Sequence, residues 1–326
     1  MHVLMFEEFG DADVLQWREV GDLRPGSNEA LVRIEAAGLN FADIYRRRGR
    51  WRPAGNPPWI NGYEGAGVIE ELGPQAEAAG FRAGDRIGFA DSPAANAEFA
   101  VVATDKLIPL PDGITTKVAA AVLLQGLTAH YLTCDSHPLK AGEWVVVHAA
   151  GGGVGLLLVQ IAKRLGAHVI GTASSPEKRA AAKAAGADHA IEYENWVAEV
   201  RQLTDGGANV VYDSIGATLN DSLGALRQHG RAVFYGMAGG DPPAVDPRML
   251  MENSLSVTGG DLWNVLVSGD ERRRRAEELF SWMLDGSVCV KIAKTFSLAD
   301  GASAHRLLES RIVSGKILLI PNDGVM

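Results

Sequence analysis

Between residues 144 and 258 the apolar positions of this chain alternate between short continuous runs and longer amphipathic stretches. The runs at 144–147, 168–171, 190–191, 209–214, 231–235 and 255–258 read as strands. The stretches at 154–165, 176–185, 196–203 and 219–228 carry apolar residues at helical spacing. Strands that are apolar on both faces and alternate with helices predict a parallel sheet covered on both sides. The fold class is therefore α/β, with a doubly wound sheet in this part of the chain.

Upstream of residue 116 the texture differs. Short apolar runs at 30–36, 67–72, 86–90 and 99–104 stand between turn clusters such as Leu23-Arg-Pro-Gly-Ser and Ala83-Gly-Asp. Many short strands punctuated this way predict a small barrel-like β fold. Residues 117–124 and 128–132 read as helix and lead into the alternation. Beyond it come a helix at 271–284, a strand near 291–296, a helix at 299–310 and a strand at 316–320. The predicted organisation is an insertion, with a β-rich domain formed by 1–122 and 263–326 enclosing an α/β domain at 123–262. A length of 326 residues suits two domains of roughly 100–200 residues each.

Charge and cysteine content remove several function classes. With 31 Lys and Arg against 40 Asp and Glu the net charge is −9, the wrong sign for a general nucleic-acid or membrane-surface binder. The arginine runs at 46–48 and 272–275 do not change this; acidic residues flank the second, which reads as a solvated helix face. Cys134 and Cys289 are far apart and neither belongs to a CxxC pair, which argues against a structural zinc site or a disulfide framework. No apolar run reaches the roughly 18 residues of a membrane span, and the N-terminus reads as a strand, so a cytoplasmic protein is expected.

The candidate chemistry starts at Trp144-Val-Val-Val-His-Ala-Ala-Gly-Gly-Gly-Val-Gly, an apolar strand running through glycines into an apolar helix. Small residues there let a pyrophosphate approach the backbone, and the helix N-terminus offers it unpaired N–H groups. The spacing, Ala149-x-x-Gly152-x-x-Gly155, is a weak motif alone and gains weight from the strand–loop–helix context. His148, ending a buried strand, reads as a satisfied core group rather than a base. The next strand end selects the cofactor. An NAD site usually places Asp or Glu there on the ribose hydroxyl. This chain has Gly171-Thr-Ala-Ser174 followed by Lys178, a hydroxyl and a cation that suit a 2′-phosphate, so NADPH is expected over NADH.

Taken together, Gly38-Leu-Asn-Phe-Ala-Asp-Ile-Tyr, Gly62-Tyr-Glu-Gly-Ala-Gly, Gln125-Gly-Leu-Thr-Ala, the glycine loop, Val211-Tyr-Asp-Ser-Ile-Gly, Phe234-Tyr-Gly and Ser314-Gly-Lys-Ile-Leu run nearly end to end. The series resembles the zinc-independent quinone oxidoreductase branch of the medium-chain dehydrogenase/reductase superfamily. That resemblance implies a Rossmann-type domain inserted into a GroES-like catalytic domain. It also implies that Asn40, Tyr45 and Thr128 lie near the nicotinamide, and that Gly152, Gly153 and Val154 hold the pyrophosphate. Ser174, Lys178 and Tyr193 would surround the 2′-phosphate, with Ser214, Gly236 and Gly260 along the remaining groove. The family often has a tyrosine after the glycine that follows the basic stretch, whereas Gly49-Arg-Trp51 presents a tryptophan.

Zinc alcohol dehydrogenases of that superfamily place Cys and His where this chain has Asn40 and Tyr63, and amide and phenol are poor zinc ligands. Without a Lewis acid to stabilise an alkoxide, the acceptor must already be electrophilic. The expected reaction is direct hydride transfer from NADPH to a quinone, with Asn40 and Tyr45 on the acceptor oxygen and Tyr45 relaying a proton. An alkenal or enone reductase is the alternative among enzymes, and an NADPH-binding protein without turnover is the alternative outside them. The apolar run at 255–258 would end the parallel sheet, and a homodimer paired through that edge would cover it.

Overall fold

The computed structural model describes residues 1–321, and the chain divides into two compact units. The first comprises Met1–Leu124, Leu266–Leu284 and the segment from Val290; the second comprises Gln125–Val265 and Asp285–Cys289. Among the described residues no helix is long and apolar enough to cross a membrane.

In the first unit, Glu29–Leu39 alternates buried with half-buried residues as far as Ala36 and is buried throughout from there. Such a strand needs neighbours on both sides. It pairs with Lys316–Ile320, Gly65–Leu72 and Phe99–Ala103, and the sheet continues through Ile292–Ser297 on one side and Arg86–Phe89 and Ile108–Pro109 on the other. Val32, Ile34, Ile69, Phe89 and Leu319 form its core together with Leu4 and Phe6 from the N-terminal strand. Ile317 sits opposite Leu39, so the terminal strand begins beside the turn that leads into the helix Phe41–Arg47. That register puts residues from both ends of the chain next to each other.

The arginine-run expectation needs correction. Arg272 and Arg275 on the helix Gly269–Leu284 are buried. Arg272 grips Asp91 through Nε and Nη2 at 3.2 and 2.7 Å and also donates to the carbonyls of Asp105 and Leu266. Lys106 reaches the same carboxylate at 3.1 Å. In the earlier run Arg47 is fully buried, donating to Glu309 at 2.7 Å beside His305. Acidic neighbours at helical spacing look alike on a solvated face and around a buried clamp. Arg48 in the first run and Arg273 and Arg274 in the second keep appreciable exposure.

The second unit is a six-stranded sheet in which every pair is parallel. Its strands are Trp144–Val147, His168–Thr172, His189–Ile191, Ala208–Asp213, Leu226–Phe234 and Ser256–Gly259. Numbered along the chain, their spatial order is 3-2-1-4-5-6, the doubly wound dinucleotide-binding order. Val146, Ile170, Val211 and Ala232 from four strands pack with Trp196 and Leu223.

Boundaries moved where packing overrode local pattern. The two helices expected at 117–124 and 128–132 form one, Thr116–Tyr131, followed by a π turn at Leu132–Ser136. The helix expected at 219–228 stops at Gly224 because Leu226–Phe234 extends along the sheet. The helix Pro247–Asn253 gave no amphipathic signal; it buries no residue fully and packs only Met249 and Leu250, half-buried, against the core.

Candidate active site

The glycine loop leaves little room for side chains, against backbone at Gly155 and against the Gln125 side chain at Gly153. Helix Gly153–Arg164 begins after Gly152, an N-cap in extended conformation with no side chain capping the first turn. A Cβ on Gly155 would lie 2.3 Å from the Ala149 carbonyl oxygen, and one on Gly153 would lie 2.1 Å from Gln125 Oε1. The helix can therefore rest directly on the loop, leaving its N-terminal N–H groups to an anion.

Ala149 takes a left-handed φ of 48°, unusual for a residue with a Cβ. Its N–H donates to the Tyr193 hydroxyl at 2.9 Å, which pins the turn. Tyr193 stacks on His148, ring centroids 5.7 Å apart. His148 is fully buried between Thr172 Oγ1 at 2.7 Å and Ser222 Oγ at 3.1 Å. Because Ser222 donates its own proton to Asp213 Oδ2, it must accept from His148 Nε2, which leaves Nδ1 to accept from Thr172. Burial pushes the His148 pKa down to about 4, so the ring is neutral near pH 7. This histidine is a structural link in the loop's support.

The remaining nominated residues of this unit follow the carboxyl ends of successive strands. Ser174 comes after His168–Thr172, Tyr193 after His189–Ile191, Ser214 after Ala208–Asp213, Gly236 after Leu226–Phe234 and Gly260 after Ser256–Gly259. Lys178 lies on the helix Pro176–Ala184 against Gly151, where a Cβ would meet the lysine Cβ at 2.7 Å. A Cβ on Gly236 would lie 3.1 Å from the Ser214 carbonyl oxygen, so those two loops run side by side. Gly260 packs on Tyr131 in the same manner, and Thr128 is buried on the helix Thr116–Tyr131. Ser175, which the sequence reading passed over, caps the helix by accepting from the Lys178 N–H. Arg179 donates to the Ala173 carbonyl at 3.3 Å and pairs with Glu192 at 2.6 Å.

In the first unit, Asn40 is the N-cap of Phe41–Arg47, and its backbone N–H donates to Asp43 Oδ2 at 2.9 Å. Its side-chain amide donates to Glu64 Oε2 at 2.8 Å and to the Gly38 carbonyl, while its oxygen accepts from Lys316 Nζ at 2.7 Å. Lys316 also donates to Glu64 Oε2 at 2.6 Å. Glu64 and Lys316 carry no signal in the sequence that pairs them; the adjacency exists only once the strand Lys316–Ile320 is in register. Asp43 is fully buried, and loss of solvation is the main reason its pKa is pushed up to about 6, against the opposing pull of Arg46.

Tyr45 is half-buried, packed edge-on to Trp51 with centroids 5.2 Å apart and next to Phe41. The Arg46 guanidinium lies 3.6 Å above the ring of Tyr63. Among the described residues no three His, Cys, Asp or Glu side chains gather in a way that could hold a metal ion.

Comparison with known proteins agrees with this architecture. The family "Alcohol dehydrogenase GroES-like domain" matches residues 26–140, and "Zinc-binding dehydrogenase" matches residues 153–281. A quinone oxidoreductase of Pseudomonas aeruginosa is 40% identical over 98% of this chain and 99% of its own length. A 2-haloacrylate reductase of a Burkholderia species is 37% identical over 96% of each chain. The Escherichia coli quinone oxidoreductase, solved in complex with NADPH, superposes with a TM-score of 0.94 at 35% identity, covering 98% of this chain and all of the other. The chain is thus an oxidoreductase belonging to the quinone oxidoreductase branch of the medium-chain dehydrogenase/reductase superfamily.

Proposed function

We propose that this protein transfers a hydride from NADPH to a quinone without zinc. The observation that carries the reading is the row of loops after the six parallel strand ends, where small residues and Ser174 with Lys178 stand in place of a ribose-binding carboxylate. The relative solved with NADPH and the quinone oxidoreductases among the relatives support it.

The residues fit such a cofactor: a Cβ would clash at Gly153 and Gly155, and the helix N-terminus behind them lacks a side-chain cap. Gly152, Gly153 and Val154 would hold the pyrophosphate. Ser174 and Lys178 would hold the 2′-phosphate, with Tyr193 beside them, and Ser214, Gly236 and Gly260 would line the rest, with Thr128 toward the nicotinamide. When bound, the cofactor supplies the hydride from its nicotinamide ring. Tyr45 would hydrogen-bond the acceptor oxygen and hand on a proton. Asn40 caps the helix that carries Tyr45 and is held through Lys316 Nζ. With an ammonium already on its oxygen and on Glu64, a divalent cation there would meet a fixed like charge.

Steady-state rates with NADPH and NADH on a panel of quinones and enones test this. NADPH should be favoured by at least about tenfold, and Lys178→Ala should remove most of that preference, since a charge-assisted phosphate contact contributes about 1.5–3 kcal/mol. Equal efficiency with NADH would overturn the cofactor assignment. Tyr45→Phe turning over at the wild-type rate would remove the relay. The 2-haloacrylate reductase among the relatives favours a second reading, an electron-poor alkene as acceptor, and higher efficiency on the enones would select it.

We also propose a homodimer paired through Ser256–Gly259. That strand is bonded on one side only, to Leu226–Phe234, and Val257 is exposed on it. Sedimentation should give a twofold mass; a monomer at every concentration would rule the pairing out.

A further inference from the structure

The buried Lys316–Glu64 pair of the first unit enters that reading only through its charge. Lys316 and Glu64 side chains have no exposure to solvent. They come from distant segments, the terminal strand and the residue preceding Gly65–Leu72, and they meet at the N-cap of Phe41–Arg47. Lys316 Nζ donates to Glu64 and to Asn40, and Asn40 Nδ2 donates back to the same Glu64 oxygen, closing a ring of three side chains. The other Glu64 oxygen accepts the Leu124 N–H at 2.8 Å. Gly38 makes room, since a Cβ there would lie 2.3 Å from Glu64 Oε2.

Burying an ion pair rarely adds stability over a well-packed apolar substitute, because both ions lose hydration. What this ring does add is orientation. An Asn amide has two hydrogens and one oxygen; here the hydrogens go to Glu64 and Gly38, and the oxygen takes the ammonium. We propose that Lys316 and Glu64 are positioning residues that lock the Asn40 amide and the first turn of its helix, so that Asn40 serves the scaffold and the acceptor contact falls to Tyr45. The proposal rests on the hydride-transfer reading for its acceptor.

The ring also acts on Asp43. The charged groups facing that carboxyl are Arg46 from its own helix, Lys316 from the terminal strand and Glu64 from the segment before Gly65–Leu72, with Tyr63 alongside. Arg46 and Lys316 favour the carboxylate, whereas Glu64 disfavours it. Removing Lys316 alone therefore leaves two carboxylates facing each other.

The test follows the Asp43 carboxyl by carbon NMR through a pH titration in wild type, Lys316→Met and the double variant Lys316→Met/Glu64→Gln. In Lys316→Met the midpoint should rise by about one unit, and in the double variant it should return toward wild type. Both variants should also lose about tenfold in kcat with the KM for NADPH unchanged, because the cofactor loop belongs to the other unit. An Asp43 midpoint unmoved in Lys316→Met overturns the proposal. Should that variant fail to fold, the neutral double variant decides, and an unchanged kcat in it is fatal. A wild type that reduces no acceptor would refute the hydride reading, while the Asp43 titration would still judge the pair.

Discussion

Gly155→Ala is expected to weaken NADPH binding by about 10- to 100-fold. The added methyl would sit 2.3 Å from the Ala149 carbonyl oxygen and 2.8 Å from Ala150 Cα, both backbone atoms that no rotamer change can move aside. Overpacking of this kind costs about 1–3 kcal/mol. The strain has two outlets, a shift of the helix Gly153–Arg164 or a shift of the loop on which it rests. Either displaces the N–H groups of Gly152 and Gly153 from a phosphate. Fluorescence titration with NADPH measures the effect directly, and a Kd within twofold of wild type would show that the loop does not cradle the cofactor. Gly142→Ala is a useful contrast, since a Cβ there meets nothing, although its left-handed φ of 83° carries a conformational penalty. Its cost should appear in stability and not in affinity.

Arg272→Met is the second large effect, this time on folding. The substitution leaves the buried Asp91 carboxylate with Lys106 alone and strips the Asp105 and Leu266 carbonyls of their donor. Removing one partner of a buried pair typically costs about 3–5 kcal/mol, most of it from the charge left behind. Urea unfolding should show this loss in the transition of the first unit. Arg272→Met/Asp91→Leu should recover a large part of it, because the stranded charge is then gone. A loss below about 1 kcal/mol in the single variant would mean that water reaches Asp91 and the clamp is not closed.

The second unit was legible in the sequence because its strands are continuous apolar runs. Val145, Val146 and Val147 are buried in succession, and Val210, Val211 and Tyr212 repeat the pattern; a strand covered on both faces has no other way to appear. The glycine loop was legible for the related reason that its geometry admits nothing larger. In the first unit the alternation within Glu29–Leu39 gave the strand, but not its partners. The ring of Lys316, Glu64 and Asn40 could not be read, since a lysine and a glutamate at distant positions announce no pairing until strand register brings them together. The same holds for Arg47 and Arg272, whose neighbours in sequence are charged and whose neighbours in space are buried. Tyr193 was nominated for the 2′-phosphate, and the structure adds its hydroxyl's bond to the Ala149 N–H.

The place of Lys316–Ile320 within its sheet has a consequence for how the molecule comes into being. That strand separates Ile292–Ser297 from Glu29–Leu39, so the Ala37–Leu39 end of the early strand, beyond the stretch that Phe99–Ala103 covers, stays open on that flank until Lys316–Ile320 has left the ribosome. The inserted unit is assembled from nearer neighbours and can close while synthesis continues. During that interval an apolar strand waits with open hydrogen-bonding groups, a template for unwanted pairing. A nascent chain stalled before Lys316 would thus carry a finished nucleotide fold joined to an unfinished, adhesive sheet.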